Sequence, residues 1–472
     1  MEDDGLADAL HRAADAAAAF RASLPARPVA ASAGPEELDE AFGGPLPRTG
    51  TAPGAVVDAL VAAAGPGLTA SAGPRYFGFV VGGALPAATA AEVLTAGWDQ
   101  CAFTTALSPA AAAAERAAGR WVLELLGLPP TASVGFVTGG QAANTVGLAA
   151  ARHHVLAAAG WDVEADGLAG APRVRLVASA ERHATIDRAA RLLGLGRSAV
   201  VPVAARPDGA IDVADLGRVL AGVRGEPVVV CLQAGNVNTG ACDDLRVAAG
   251  LAREHGAWVH VDGAFGLWAA ADPGLAHLVD GRELADSWAV DGHKWLNVPY
   301  DSGFAICAHP AVHAAALSYT ASYLTGSGAA VPELGDLTPE SSRRARGFAV
   351  WAALRELGAD GVAELVGRCC RLARRFADRL AEGGAENGAE NGAEIGVEIP
   401  APVVLNQVLA GFGDDDRTDR VIEGVQREGT CWMGGTTWRG RRYMRIAVSN
   451  ATTTEADVDA SAAAVLRVAR RV

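Results

Sequence analysis

The apolar positions of this chain fall into three stretches with different periods. Residues up to about 30 form an alanine-rich helical pattern that stops at Pro25 and Pro28. Residues 31 to 54, rich in Gly, Pro and Glu, read as a loop or arm. A second helical pattern spans about Ala55 to Ala72 and leads into the extended aromatic segment Pro74-Arg-Tyr-Phe-Gly-Phe-Val-Val-Gly-Gly83. From Ala110 to about Pro310 helical stretches alternate with short apolar runs: Val134–Val137, Val174–Ala178, Val228–Leu232, Trp258–Val261, Ser287–Val290 and Gly303–Cys307. Such runs, separated by segments of helix length, predict an α/β fold with a mainly parallel sheet covered on both faces.

Beyond Thr338-Pro339 the pattern changes again. Two helices are predicted over about 341–357 and 360–382, strand-like pieces near 403–410 and 443–448, and a closing helix from about 454. The domain organisation expected from these patterns is an N-terminal helical segment over 1–100, a large α/β domain over 101–338 and a smaller C-terminal α+β domain over 339–472. Within the last lies the tandem repeat of Gly-Ala-Glu-Asn that begins at Gly384. It is too polar and glycine-rich for a core, so 383–395 is expected to be a disordered loop insertion without function.

Composition narrows the possibilities. At 472 residues and 50% hydrophobic, the chain can bury one large core or two. A net charge of −14 and a pI near 5.2 argue against a nucleic-acid partner, because no basic stripe offsets them. The alanine runs are too short to span a bilayer, and the N-terminal Met-Glu-Asp-Asp lacks the basic start of a signal peptide, so no membrane association is expected. Seven irregularly spaced cysteines without a CxxC pair fit a reduced, cytoplasmic setting and offer no metal site.

One residue stands apart. Lys294 is the only lysine; every other one of the 40 basic residues is arginine. Arginine supplies charge and hydrogen bonds, but its guanidinium stays protonated in proteins. A primary amine can lose its proton and attack a carbonyl carbon to form a Schiff base.

Four segments surround this residue with matching chemistry. In Trp288-Ala-Val-Asp-Gly-His293-Lys294-Trp295 an apolar strand runs into the turn that bears the lysine. In His260-Val261-Asp262-Gly-Ala264 the preceding strand ends in an acid. Ligands of a parallel α/β sheet bind at the carboxyl ends of its strands, so both side chains can face one crevice. Thr138-Gly139-Gly140-Gln141-Ala-Ala-Asn144 follows a strand and precedes a helix, where glycines expose backbone N–H groups and the helix dipole to a phosphate. Glu181-Arg182-His183 follows the Val174 run and brings an imidazole to the same rim. Taken singly, His260 reads as a buried hydrogen-bonding group, and Asp286, Asp291 and Asp301 as ordinary turn residues.

Together these segments resemble the group II pyridoxal-phosphate decarboxylases, the aromatic amino acid and glutamate decarboxylase family, within the aspartate aminotransferase fold (fold type I). The resemblance runs from about residue 55 to the C-terminus. It includes Pro74-Arg-Tyr-Phe-Gly-Phe, Ser108-Pro-Ala, Ala234-Gly-Asn-Val-Asn-Thr-Gly240, His293-Lys294-Trp-Leu-Asn-Val-Pro-Tyr, Ser342-Arg-Arg344 and Tyr443-Met-Arg445, in the family's order.

The resemblance implies a seven-stranded sheet, pyridoxal 5'-phosphate as cofactor and decarboxylation of an L-amino acid with an aromatic or apolar side chain. Lys294 would form the Schiff base and later move protons at the substrate, with a quinonoid intermediate between. Asp262 would pair with the pyridine nitrogen. His183 would stack on the ring, with Ala264 on the opposite face. Thr138, Gly139, Gly140 and Gln141 would hold the phosphate, helped by His293. Asn236 and Asn238 lie where the family contacts the cofactor. Tyr76, Phe77, Phe79 and Phe103 read either as core or, as the resemblance implies, as the lining of the substrate pocket, with Phe103 reaching across from the other subunit of a homodimer. Arg445 would meet the substrate carboxylate, as the equivalent arginine does in aminotransferases of this fold, or be structural, as it often is in the decarboxylases.

One departure concerns the outcome of the reaction. Many family members carry a proton-delivering tyrosine on a loop before the helix that begins Arg-Arg. Here the corresponding stretch, 326–336, has no tyrosine, and Tyr323 is the closest. Loss of that acid within the family goes with oxidative decarboxylation to an aldehyde. Aminotransferase and C–C lyase chemistry remain alternatives that use the same cofactor apparatus.

Overall fold

The computed structural model describes residues 5–319, 332–386 and 396–472. The chain forms two compact units. One comprises 82–373 and 401–408, the other the N-terminal residues to 81 together with 374–400 and 409–472. This division differs from the expected borders at 100/101 and 338/339. Residues 82–100 supply helix Pro86–Trp98 to the sheet-bearing unit, and the chain before residue 82 groups with the C-terminal elements. Side-chain pairing explains the second grouping: Tyr76 stacks on Trp432 with ring centroids 5.1 Å apart, and Arg75 donates to the Thr430 carbonyl at 2.8 Å.

The sheet-bearing unit holds seven strands: β1 (Ser133–Val137), β2 (Arg175–Ser179), β3 (Val200–Val203), β4 (Val228–Gln233), β5 (Trp258–Asp262), β6 (Ser287–Asp291) and β7 (Gly303–Cys307). Their order is β1-β7-β6-β5-β4-β2-β3. All neighbours from β6 to β3 run parallel, and only β7 runs against both β1 and β6. Strands β4 to β7 are buried at every position, as continuous apolar runs between two helical layers require. Edge strand β3 is absent from the runs recognised in the sequence. Its Pro202 lacks a ladder donor, which an edge position tolerates.

The helices here include Pro109–Leu126, Gly140–Ala158, Ala184–Leu192 and Leu245–Glu254. Gly140–Ala158 contributes Val146, Leu148, Ala149, Ala150 and Ala151 to the core against the sheet, and its small residues let it lie close to the strands. The two helices expected after residue 340 are both present within Gly347–Glu386, divided at Gly358, whose backbone is not helical (φ 63°, ψ 179°).

In the other unit, helices Leu6–Ser23 and Pro53–Ala64 match the two N-terminal helical patterns, and Pro35–Phe42 is a helix where a loop was expected. Pro35 at its first position and the bond from the Gly34 N–H to the Glu37 carboxylate at 3.1 Å start that helix. A four-stranded sheet follows, in the order β10 (Gly434–Trp438), β11 (Arg441–Ala447), β9 (Gln407–Phe412), β8 (Val397–Glu398). Most of the Gly-Ala-Glu-Asn repeat lies outside the described residues, as do Tyr323 and positions 326–331 of the tyrosine-free stretch.

Candidate active site

Strand direction sets the site. Because β7 is antiparallel to both its neighbours, β1 points the same way as β6, β5, β4 and β2. The carboxyl ends of these five strands therefore share one rim, the usual ligand position in such sheets. Asp262 closes β5, Asp291 closes β6 and Gln233 closes β4. Thr138-Gly139 leads from β1 into helix Gly140–Ala158, and His183 caps the start of helix Ala184–Leu192. These groups surround a cavity of about 280 Å³, lined by Thr138, Gly139, Gly140, Gln141, Asn144, His183, Thr185, Gln233, Gly235, Val237, Asp262, Ala264, Phe265, Asp291, His293 and Lys294.

At one end the cavity meets the N-terminus of helix Gly140–Ala158. Gly139 has φ 154°, and a Cβ there would lie 2.6 Å from Cε1 of His293, so a side chain is excluded twice over. The Gly140 N–H donates to Oδ1 of Asp291. The other oxygen of Asp291, Oδ2, is 2.8 Å from Nζ of Lys294, and Nε2 of His293 lies 3.4 Å from Oδ1. Asp291 is only 1% exposed, so a carboxylate that reads as a turn residue in the sequence is a buried centre of the site. Its signal was its place, the last residue of a strand and three before the lysine. Nδ1 of His293 accepts from the Ser302 N–H at 3.2 Å, and burial pushes this imidazole's pKa down, with Asp291 opposing.

At the other end, Oδ2 of Asp262 accepts from Nδ2 of Asn144 at 3.1 Å, with the Thr185 hydroxyl 3.5 Å away. Nδ1 of His183 accepts from the Thr185 N–H at 3.3 Å and is 2.9 Å from the Thr185 hydroxyl. Those bonds, and one from the His183 N–H to Oε1 of Gln233 at 3.1 Å, fix the imidazole at the cavity wall. Nε2 of Gln141 reaches Oγ1 of Thr145 at 3.3 Å and the Thr185 carbonyl at 3.4 Å, so this side chain braces the wall. Asn144 carries no role in the sequence beyond closing the glycine-bearing segment, and Thr185 is not singled out there.

Asn236 does not line the cavity. Its Oδ1 accepts from the N–H groups of Asn238 and Thr239, and its Nδ2 donates to the Glu181 carbonyl, so it shapes its own loop and leaves Gly235 and Val237 at the wall. Phe103 is half-buried in the same unit, where its carbonyl accepts from the Gly335 N–H at 2.8 Å. Tyr76, Phe77, Phe79 and Arg445 belong to the other unit. There Phe77 is a core residue, edge-on to Phe376 at 5.3 Å, and Phe79 stacks on Trp432 while 63% exposed. Arg445 lies on β11, opposite Gly434.

Residues 55–392 match the pyridoxal-dependent decarboxylase conserved domain. The chain belongs to that family. It is a pyridoxal-phosphate-dependent carboxy-lyase, and its cofactor is pyridoxal 5'-phosphate. Among curated relatives, the decarboxylase is 27% identical to tryptophan decarboxylase 1 of Oryza sativa subsp. japonica over 473 residues, 95% of this chain and 91% of that one. It is 26% identical to 4-hydroxyphenylacetaldehyde synthase of Rhodiola rosea, over 84% of this chain and 80% of that one. In fold it follows the crystal structure of Oryza sativa TDC with PLP and tryptamine, with a TM-score of 0.90 at 24% identity over 100% and 99% of the two chains.

Proposed function

We propose that this decarboxylase acts on an L-amino acid with an aromatic side chain, using Lys294, Asp262 and His183 as its catalytic residues. The observation that carries the reading is the convergence of the single lysine, a buried carboxylate, an oriented imidazole and a glycine-bearing helix N-terminus on one cavity. That donor set fits the cofactor. The backbone N–H of Gly140 and the helix dipole suit a phosphate, together with Thr138, Gly139, Gln141 and His293. Asp262 suits a protonated ring nitrogen, and the small Ala264 leaves room for a flat ring beside His183.

When bound, pyridoxal phosphate supplies the electron sink for the pair released as carbon dioxide leaves. The protein's own part is to orient and to move protons. Asp262, held by Asn144, would keep the ring nitrogen charged. His183, its Nδ1 engaged as an acceptor, presents a fixed face. Lys294 would hold the cofactor through its amine and, once released by the substrate, would move a proton at the substrate carbon. The aromatic preference is supported by the aromatic segment Tyr76–Phe79 and by the likeness to a tryptophan decarboxylase. The reading includes a homodimer, supported by the apolar Val56, Leu60 and Val61 exposed on helix Pro53–Ala64. It also includes a reduced cytoplasmic location, supported by seven free cysteines.

A second outcome has its own support. Positions 326–336 carry no tyrosine, and one relative is an aldehyde synthase. In that outcome the amino acid, dioxygen and water give the aldehyde, carbon dioxide, ammonia and hydrogen peroxide. The test is to incubate the purified holoenzyme with a panel of aromatic, apolar and acidic amino acids, and to assay carbon dioxide, ammonia, peroxide and the organic product together. Amine with stoichiometric carbon dioxide supports simple decarboxylation. Aldehyde with ammonia and peroxide replaces it with the oxidative reaction, and turnover confined to acidic substrates overturns the aromatic reading.

A further inference from the structure

Asp262 sits at the end of a one-way chain of hydrogen bonds that begins away from the cavity. Indole Nε1 of Trp258 donates to Oγ of Ser287 at 2.9 Å. Oγ of Ser287 is 2.8 Å from Nδ1 of His260, Nε2 of His260 is 2.8 Å from Oδ1 of Asn144, and Nδ2 of Asn144 donates to Oδ2 of Asp262 at 3.1 Å. His260 and Ser287 are fully buried, and Asn144 nearly so.

The direction of every bond follows from the chemistry of the groups. An indole N–H can only donate, so Ser287 accepts from Trp258; it donates its own proton to Nδ1 of His260 because the neutral ring's single proton sits on Nε2. An amide oxygen can only accept, so Nε2 of His260 carries the ring's proton. Burial keeps this imidazole neutral, with its pKa pushed down to about 4. Reversing the Asn144 amide would turn its oxygen toward the Asp262 carboxylate, two acceptors face to face. The four groups thus accept one arrangement, in which Asn144 presents its NH₂ to Asp262.

A second observation comes from the helix above. His260 and Asp262, two apart on β5, point to the same face of the sheet, toward helix Gly140–Ala158. Gly147 lies on that helix close to the ring. A Cβ there would be 2.6 Å from Cε1 and 2.8 Å from Nδ1 of His260, and 3.4 Å from Oγ of Ser287. A glycine in a helix interior is unfavourable; here it makes the space the histidine needs.

We infer that His260 is a positioning residue: through Asn144 it fixes the carboxylate of Asp262 toward the cofactor's ring nitrogen, and Gly147 exists to admit it. This rests on the reading of Asp262 as the partner of that nitrogen. The geometry distinguishes His260 from a core histidine that merely satisfies itself, because its bonds end on a group that lines the cavity.

The experiment loads the protein with pyridoxal phosphate labelled with ¹⁵N in the ring and reads the nitrogen's NMR shift, which separates the protonated from the free base. Wild type should show the protonated signal. His260→Leu, which removes the donor to Asn144, should move it toward the free base. His260→Gln, whose amide N–H can replace Nε2–H, should restore it. Gly147→Ala keeps every hydrogen-bonding group but displaces the ring, and Asn144→Ala cuts the next link; both should move the signal as His260→Leu does. In steady-state assays kcat should fall about tenfold in His260→Leu, the lower end of what the partners of metal-bound histidines cost when removed, with KM little changed.

An unshifted signal in a folded His260→Leu, or equal shifts in the Leu and Gln variants, would overturn the inference. If His260→Leu does not fold, Asn144→Ala and Gly147→Ala decide it in the same way. Asp262→Asn separates this failure from that of the underlying reading. If Asp262→Asn leaves the signal protonated, Asp262 is not the nitrogen's partner; if it moves the signal and the His260 and Gly147 variants do not, only the positioning role falls.

Discussion

Oδ2 of Asp291 lies 2.8 Å from Nζ of Lys294, while the other oxygen of the same carboxylate accepts from the N–H that opens helix Gly140–Ala158. One buried acid therefore spans the amine and the helix N-terminus, the two features that suit an aldehyde and a phosphate. A phosphate that takes the Gly140 N–H must share it with, or win it from, Asp291.

This competition makes a prediction about anion binding. Asp291→Asn keeps the shape of the side chain and removes its charge from the helix end. Inorganic phosphate, titrated calorimetrically into cofactor-free protein, should bind about 3- to 10-fold more tightly, the worth of one charge at a helix terminus. Weaker binding would mean that Asp291 builds the cradle and does not compete for it.

Lys294→Arg tests the amine itself. The charge beside Asp291 is kept and the nucleophile is lost, since a guanidinium does not give up its proton. The variant should keep its far-ultraviolet circular dichroism but lose the visible absorbance of lysine-bound cofactor and all turnover. Normal turnover would remove Lys294 from the chemistry.

Much of this architecture was legible in the chain. The runs that became β4, β5 and β6 are apolar throughout because both faces of a parallel sheet are covered. Asp262, His183 and Lys294 were legible because polar residues at strand ends stand out against such runs. Asp291 was not: an acid before a glycine looks like any turn, and only the fold brings it within reach of Lys294 and Gly140. Asn144 and Gly147 were hidden for a related reason, since their partners on β5 and β6 are distant in sequence. Nor could local pattern give the reversal of β7, which depends on how the chain crosses the sheet.

The motif Ser342-Arg-Arg344 has a structural use in this molecule. Nη1 and Nη2 of Arg343 donate to the two oxygens of Glu115 at 2.8 and 2.7 Å, with both side chains 1% exposed. Burial raises the Glu115 pKa, and Arg343 is the main influence opposing it. Arg343→Leu strands a buried carboxylate and should cost about 3–5 kcal/mol of stability in urea unfolding. Adding Glu115→Leu should recover most of that loss; no recovery would show that packing, not the uncompensated charge, sets the cost.

Two buried histidines contribute to the acid limb of stability, His260 and His313, both pushed down to about 4 by burial from an ordinary 6.5. Between those values the unfolded chain takes up a proton at each that the folded chain refuses. Their contribution is complete above pH 6.5 and falls as pH drops toward 4. Asp243 acts the other way: burial pushes it up to about 6 from 3.8, so the folded chain binds its proton first and gains stability as pH falls through that window. Each of these groups is worth about 1.4 kcal/mol per pH unit within its range, the histidines lowering stability on acidification and Asp243 raising it. His313→Asn keeps an amide that can pair with the Ser133 hydroxyl, which lies 2.8 Å from Nδ1, and removes one titrating group. Urea unfolding of cofactor-free protein at a series of pH values should then show a slope between pH 6.5 and 4 shallower by about 1.4 kcal/mol per unit. An unchanged slope would mean that His313 takes up no proton when the chain unfolds.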